Sequence, residues 1–96
     1  MQISVSGKNM DMGDAFQEHA QTSLKAVVEK YFANAISGHV TLEMADSSFI
    51  VKTRVVLSRR IELEATGKAF EAHAALDAAI EHAEKRLRRH KRRLKN

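Results

Sequence analysis

The residues with the clearest chemical potential are the cations at the end of the chain. Residues 85–96 read KRLRRHKRRLKN, with 8 Lys/Arg and no acid, whereas residues 1–84 hold 8 Lys/Arg against 12 Asp/Glu, a net −4. Half of the basic side chains therefore fall in the last twelve positions. Lys85, Arg86, Arg88, Arg89, Lys91, Arg92 and Arg93 recur at spacings that make them neighbours on a helix surface. Arg presents a planar fork of donors suited to phosphate oxygens. Cations near a helix C-terminus are favourable through the macrodipole, which accounts for one or two of them but not for eight. A concentrated positive charge of this kind meets a polyanion or an anionic surface.

Other chemistries find less support. Asp77, Glu81 and Glu84 form a carboxylate row, but Lys85 and Arg88 follow at i,i+4 from Glu81 and Glu84, which makes the row a salt-bridge flank. No nucleophile and base stand together, and no enzyme activity is expected. The five His form no HxxxH or HxH pair, and there is no Cys, so no metal, cofactor or disulfide is expected. Gly-x-x-x-x-Gly-Lys is absent, and the N-terminus lacks the basic start and apolar run of a signal peptide. No apolar run approaches the ~18 residues of a membrane span. The expected compartment is the cytoplasm.

The elements that must carry these residues follow from periodicity. Gln2-Ile3-Ser4-Val5-Ser6 alternates as a strand, and Gly7-Lys8-Asn9 turns the chain. From Asp14 the period lengthens: Phe16, Ala20, Leu24, Val27 and Tyr31 form one helical stripe, with Gly13 as N-cap. Asn34 to Gly38 has loop composition. Val40, Leu42 and Met44 alternate as a second strand, and Asp46-Ser47-Ser48 is a turn. Phe49, Val51, Thr53, Val55 and Leu57 line one face of a third strand. After a Ser58-Arg59-Arg60 connection, Ile61, Leu63 and Ala65 line a fourth, which Gly67 breaks. Lys52 and Arg54 are expected opposite Glu62 and Glu64.

A second helix from about Ala69 to Leu94 carries a stripe of His73, Leu76, Ile80, Ala83, Leu87, His90 and Leu94. With that stripe on the sheet, His82, Lys85, Arg86, Arg89, Arg92 and Arg93 fall outside. The order β-α-β-β-β-α, as one α+β domain over residues 1–96, implies a right-handed crossover between parallel strands. Both helices then pack on one face of a four-stranded mixed sheet, as in double-stranded-RNA-binding modules. Zinc-finger, zipper, helix-turn-helix and RNA-recognition signatures are absent, which favours reading of backbone and shape over bases. An anionic-membrane surface suits the basic helix less well, because it lacks Trp and Phe near its basic end and the sheet needs its apolar stripe.

The order of motifs adds a resemblance. MQISVSGKNM, Asp14-Ala15-Phe16, Lys30-Tyr31-Phe32, Glu71-Ala72-His73-Ala74-Ala75-Leu76-Asp77 and Lys85-Arg86-Leu87-Arg88-Arg89-His90-Lys91 resemble segments of the compact ribosome hibernation promoting factors and the related ribosome-associated inhibitors. Three positions depart from that pattern: His73 stands for a Tyr, Gly67 lies about two residues further from the following motif, and Ser23 replaces a basic residue for which Lys25 is a substitute. The resemblance implies a β-α-β-β-β-α ribosome-binding domain that lies on small-subunit ribosomal RNA near the decoding site. There it excludes messenger and transfer RNA by occupancy, silencing translation in stress or stationary phase. It implies Lys85, Arg86, Arg89 and Lys91 as RNA contacts, with Arg88, Arg92 and Arg93 added from charge alone and Lys8 and Lys25 as outer candidates. Longer members of that family carry a further, self-associating C-terminal domain, so self-association is expected only where one follows, and the resemblance leaves both ribosome dimerisation and simple silencing open. A general double-stranded-RNA-binding module is the alternative reading.

Overall fold

The computed structural model describes residues 1–95. The elements are β1 (Gln2–Gly7), α1 (Asp14–Tyr31), β2 (Ser37–Ala45), β3 (Ser48–Ser58), β4 (Ile61–Ala69) and α2 (Ala72–Lys95). The sheet order is β1-β2-β3-β4, with β1 parallel to β2 and the other pairs antiparallel. This is the expected mixed sheet, closed by one crossover through α1. Both helices lie on the same face, over a core that includes Phe16, Leu24, Val28, Val40, Leu42, Val51, Val55, Leu76 and Leu87.

Several element boundaries differ from the periodicity, for reasons that are tertiary. Gly38 is inside β2 rather than in a loop, and it is buried because Leu24 packs over it: a Cβ there would stand 2.9 Å from Leu24 Cδ2. Gly67 does not break β4. It is the point where α2 rests on the sheet, and a Cβ at Gly67 would lie 2.3 Å from both Ala75 O and Ala79 N. The helix backbone can come this close only over a residue without a side chain. Because β4 runs on to Ala69, which pairs with Phe49, α2 starts three residues later than the periodicity implied, and its buried face is Ala75, Leu76, Ala79, Ala83 and Leu87. His73 and Leu94 are exposed, His90 is half-buried, and in α1 Val28 rather than Val27 is fully buried. Met44 shares a face with Val40 and Leu42 but is 56% exposed, since it lies past the reach of the helices.

The two hairpins solve their turns differently. Between β2 and β3, Asp46 takes φ 58, the left-handed conformation that a two-residue hairpin favours. Between β3 and β4, Arg59 and Arg60 form the turn without positive φ, and the register slips by one residue between Val56 and Ser58. That bulge restores the twist the turn itself does not supply.

Candidate nucleic-acid interface

The site is built on α2. Gly67 beneath Ala75 and Ala79 fixes its height, and Leu76 and Leu87, both fully buried, fix its rotation. Two further attachments hold its flanks. On the β4 side, His82 Nδ1 is 2.6 Å from the Thr66 carbonyl oxygen, a bond to the outer edge of the sheet. His82 is thus tied to the strand rather than free on the outer surface. On the α1 side, Glu84 Oε2 accepts hydrogen bonds from Lys30 Nζ at 3.0 Å and Tyr31 OH at 2.9 Å. These two donors hold the Glu84 carboxyl below the usual carboxylate range against the opposing effect of burial, and Glu84 in turn raises the Lys30 ammonium. The expected Glu84–Arg88 pair is therefore replaced by a bridge between helices, and Arg88 acts on Glu84 only through its charge.

The remaining pairs show where charge is already spent. Lys85 meets Glu81 at 3.9 Å, as the i,i+4 spacing implied. Asp77 meets His19 at 3.4 Å. The three carboxylates of α2 thus serve different partners and do not converge. Lys52 pairs with Glu43 at 3.0 Å and Arg54 with Glu62 at 3.9 Å, because the register sets Arg54, not Lys52, opposite Glu64. Lys8 reaches Glu43 at 3.8 Å, at the other end of the sheet from the C-terminal half of α2. Lys25 is exposed on α1 beside Met1, Ile3, Gln21 and Thr22. Neither joins the cations of α2.

Lys91 has a structural role that its sequence position concealed. Its Nζ donates to the Tyr31 carbonyl oxygen at 2.6 Å and lies 5.6 Å from the centre of the Phe32 ring. It satisfies an orphan carbonyl at the end of α1 and complements that helix's negative terminus. Among the described residues, no carboxylate lies within ion-pairing distance of Arg86, Arg88, Arg89, Arg92 or Arg93. At about 100° per residue these five and Lys85 cover about 160° of the helix surface. Arg88 and Arg92 line a shallow notch of about 230 Å³ with Lys30, Tyr31 and Lys91 on the α1 side. Lys85 and Arg89 point away from the sheet, and Arg86 and Arg93 continue the flank that His82 starts on the β4 side. The cations form a broad arc rather than one narrow ridge.

Sequence reasoning missed Lys30, whose partner lies 54 residues away. The sequence pattern makes Arg59 and Arg60 only a connection, although their types carry the signal. Among the described residues, no group of three or more His, Cys, Asp or Glu could hold a metal ion, and no helix is long and apolar enough to cross a membrane.

These features define a class: a β-α-β-β-β-α domain whose last helix is clamped on a sheet and presents an arc of unpaired guanidinium groups. The chain belongs to the family described as Sigma 54 modulation protein / S30EA ribosomal protein, whose model matches residues 3–95. It is 42% identical over all 96 residues to a ribosome hibernation promotion factor of Rhizobium meliloti and 36% identical to that of Bradyrhizobium diazoefficiens. It covers 50% and 47% of those two proteins, and so spans about half the length of these curated relatives. A ribosome hibernation promoting factor of Salmonella typhimurium, 27% identical, is covered over 98% of its length. Among solved structures, a ribosomal subunit interface protein from Coxiella burnetii superposes with TM-score 0.82 at 18% identity, covering 95% of this chain and 98% of that one. The N-terminal domain of Protein Y from Thermus thermophilus gives 0.80 at 21%, covering 94% and 99%. These two likenesses carry the fold.

Proposed function

We propose that this domain binds the small ribosomal subunit through ribosomal RNA near the decoding site, where it blocks messenger and transfer RNA and silences translation in the cytoplasm. The observation that carries this reading is the arc of unpaired arginines on a rigidly held α2. Five guanidinium groups with no carboxylate partner among the described residues are costly to place together unless an anion meets them. The arc curves around the helix and suits phosphates arriving from more than one direction, as in folded RNA. The names of the relatives support the ribosome as the source of that RNA. The mechanism is occupancy, and none of the described residues is asked to do covalent chemistry. Ribosome pairing would fall to whatever follows in the longer relatives.

The test is sedimentation of the domain with purified small subunits at graded salt. The wild-type chain is expected to co-migrate at low ionic strength and to be displaced by messenger RNA. Arg86→Ala, Arg89→Ala and Arg92→Ala together are expected to weaken binding by roughly tenfold or more. Lys91 is left out of this set because its loss would also open the end of α1. Equal affinity for any RNA duplex of the same length would favour a general double-stranded-RNA module instead.

A further inference from the structure

The turn between β3 and β4 breaks a local rule. A two-residue hairpin loop favours Asn-Gly, Asp-Gly or Gly-containing pairs, which take positive φ. Here it is Arg59-Arg60, with no positive φ and a compensating bulge between Val56 and Ser58. Two adjacent guanidinium groups are placed at the tip, both exposed, and among the described residues neither has a carboxylate within ion-pairing distance. The nearest acid on β4, Glu62, is taken by Arg54. Departures of this kind, where neither turn geometry nor an ion pair explains the residues, are expected at functional positions.

The position of the tip supplies the second observation. After β4, the chain reverses and α2 runs back along the strand: Ala75 and Ala79 sit on Gly67, and His82 bonds Thr66. From Gly67 back to Ile61 is about 20 Å of strand, which α2 covers in about 13 residues. The tip is therefore level with the Lys91–Arg93 segment. The flank of α2 on that side is the one that begins at His82 and continues through Arg86 and Arg93. The hairpin tip and this flank stand at the same end of the molecule.

We propose that Arg59 and Arg60 form a second phosphate-binding prong, which with Arg86 and Arg93 holds an RNA backbone across the end of the sheet. This rests on the RNA-binding reading of α2 and adds the direction in which the strand lies: across the end of the domain, from helix to hairpin, rather than along the helix alone.

The experiment measures binding to purified small ribosomal subunits over a salt series, for the wild-type chain, Arg59→Gln/Arg60→Gln and Arg59→Lys/Arg60→Lys. Thermal unfolding is followed in parallel. The Gln pair is expected to bind about tenfold more weakly, with the slope of log affinity against log salt reduced by about 1 to 2, and to unfold at or above the wild-type temperature. The Lys pair is expected to keep most of the slope. If the wild-type chain binds and the Gln pair matches it in affinity and slope, the prong is refuted while α2 stands. Weaker binding with an unchanged slope would mean a contact other than phosphate and would also overturn the proposal. If the wild-type chain does not bind small subunits at all, both readings fall.

Discussion

At the residue scale, the paired roles of Glu84 and Lys91 matter most. Both link the end of α1 to α2, Glu84 just before the cationic segment and Lys91 within it. Glu84 has its pKa depressed in the fold, so its contribution is present above the unfolded value, near 4.5, and is lost as pH falls through the lower folded value. Lys30 is raised, so its share is present below 10.5 and is lost as pH rises through the higher folded value. The bridge is therefore complete across the neutral range and weakens at both extremes. Glu84→Gln is expected to lower the unfolding temperature at pH 7 by a small amount and to flatten its decline as pH falls below about 4.5. A decline as steep as that of the wild type would show that other carboxylates, such as Glu43 beside Lys52, carry the acid limb. Lys91→Ala is expected to differ from Arg92→Ala in kind: the first loosens Tyr31 and Phe32 and increases amide exchange at the end of α1, while the second leaves exchange unchanged.

At the element scale, α2 is a helix whose two halves have different tasks. Its first half is packed, and its second half is held by Leu87 and by the flank bonds. Leu87→Ala is expected to cost about 3 kcal/mol in denaturant unfolding, through lost apolar contact and the cavity left behind. Gly67→Ala is expected to cost about as much, ~3 kcal/mol, because the added methyl meets backbone atoms that cannot rotate away. Gly38→Ala should be milder, since its methyl would meet the end of a Leu24 side chain. These two glycines also mark where the sequence stops being legible. The change from alternation to helical spacing at Asp14, and the reversed pattern of Phe49–Leu57 and Ile61–Ala65, carry the element order without further information. A glycine in a strand looks locally like a break, and the reason for Gly38 and Gly67 is a helix that arrives from elsewhere in the chain. The cations were visible from type and spacing alone. That Lys91 is bound to Tyr31, His82 to Thr66 and Glu84 to α1 depends on contacts across 16 to 60 residues. Local periodicity carries no trace of those contacts.

At the scale of the whole molecule, charge is sorted along the long axis of a 43 × 21 × 20 Å domain. The ends of α1 and α2, the β3–β4 turn and the start of β2 lie together, and that end holds Lys30, Arg59, Arg60 and the arc of α2 against Glu29 and Glu62. The starts of both helices and the β2–β3 turn lie at the other end with Asp11, Asp14, Glu18, Asp46, Glu71 and Asp77, relieved by Lys8 and Lys68. A body polarised in this way is oriented by a polyanion before contact. The association rate with small subunits is expected to fall steeply as salt rises from about 50 to 200 mM, more than the dissociation rate grows. Stopped-flow mixing would separate the two, and a salt effect confined to dissociation would exclude steering.

The seating of α2 on Gly67 also makes the helix a lever. From Ala79, at the fulcrum, to Arg93 is about 21 Å. A tilt of about 10° there would sweep the far guanidinium groups through about 4 Å, more than the ~2.9 Å length of a hydrogen bond. A single methyl group under the near arm, far from any cation, would thus misdirect the whole grip at the other end.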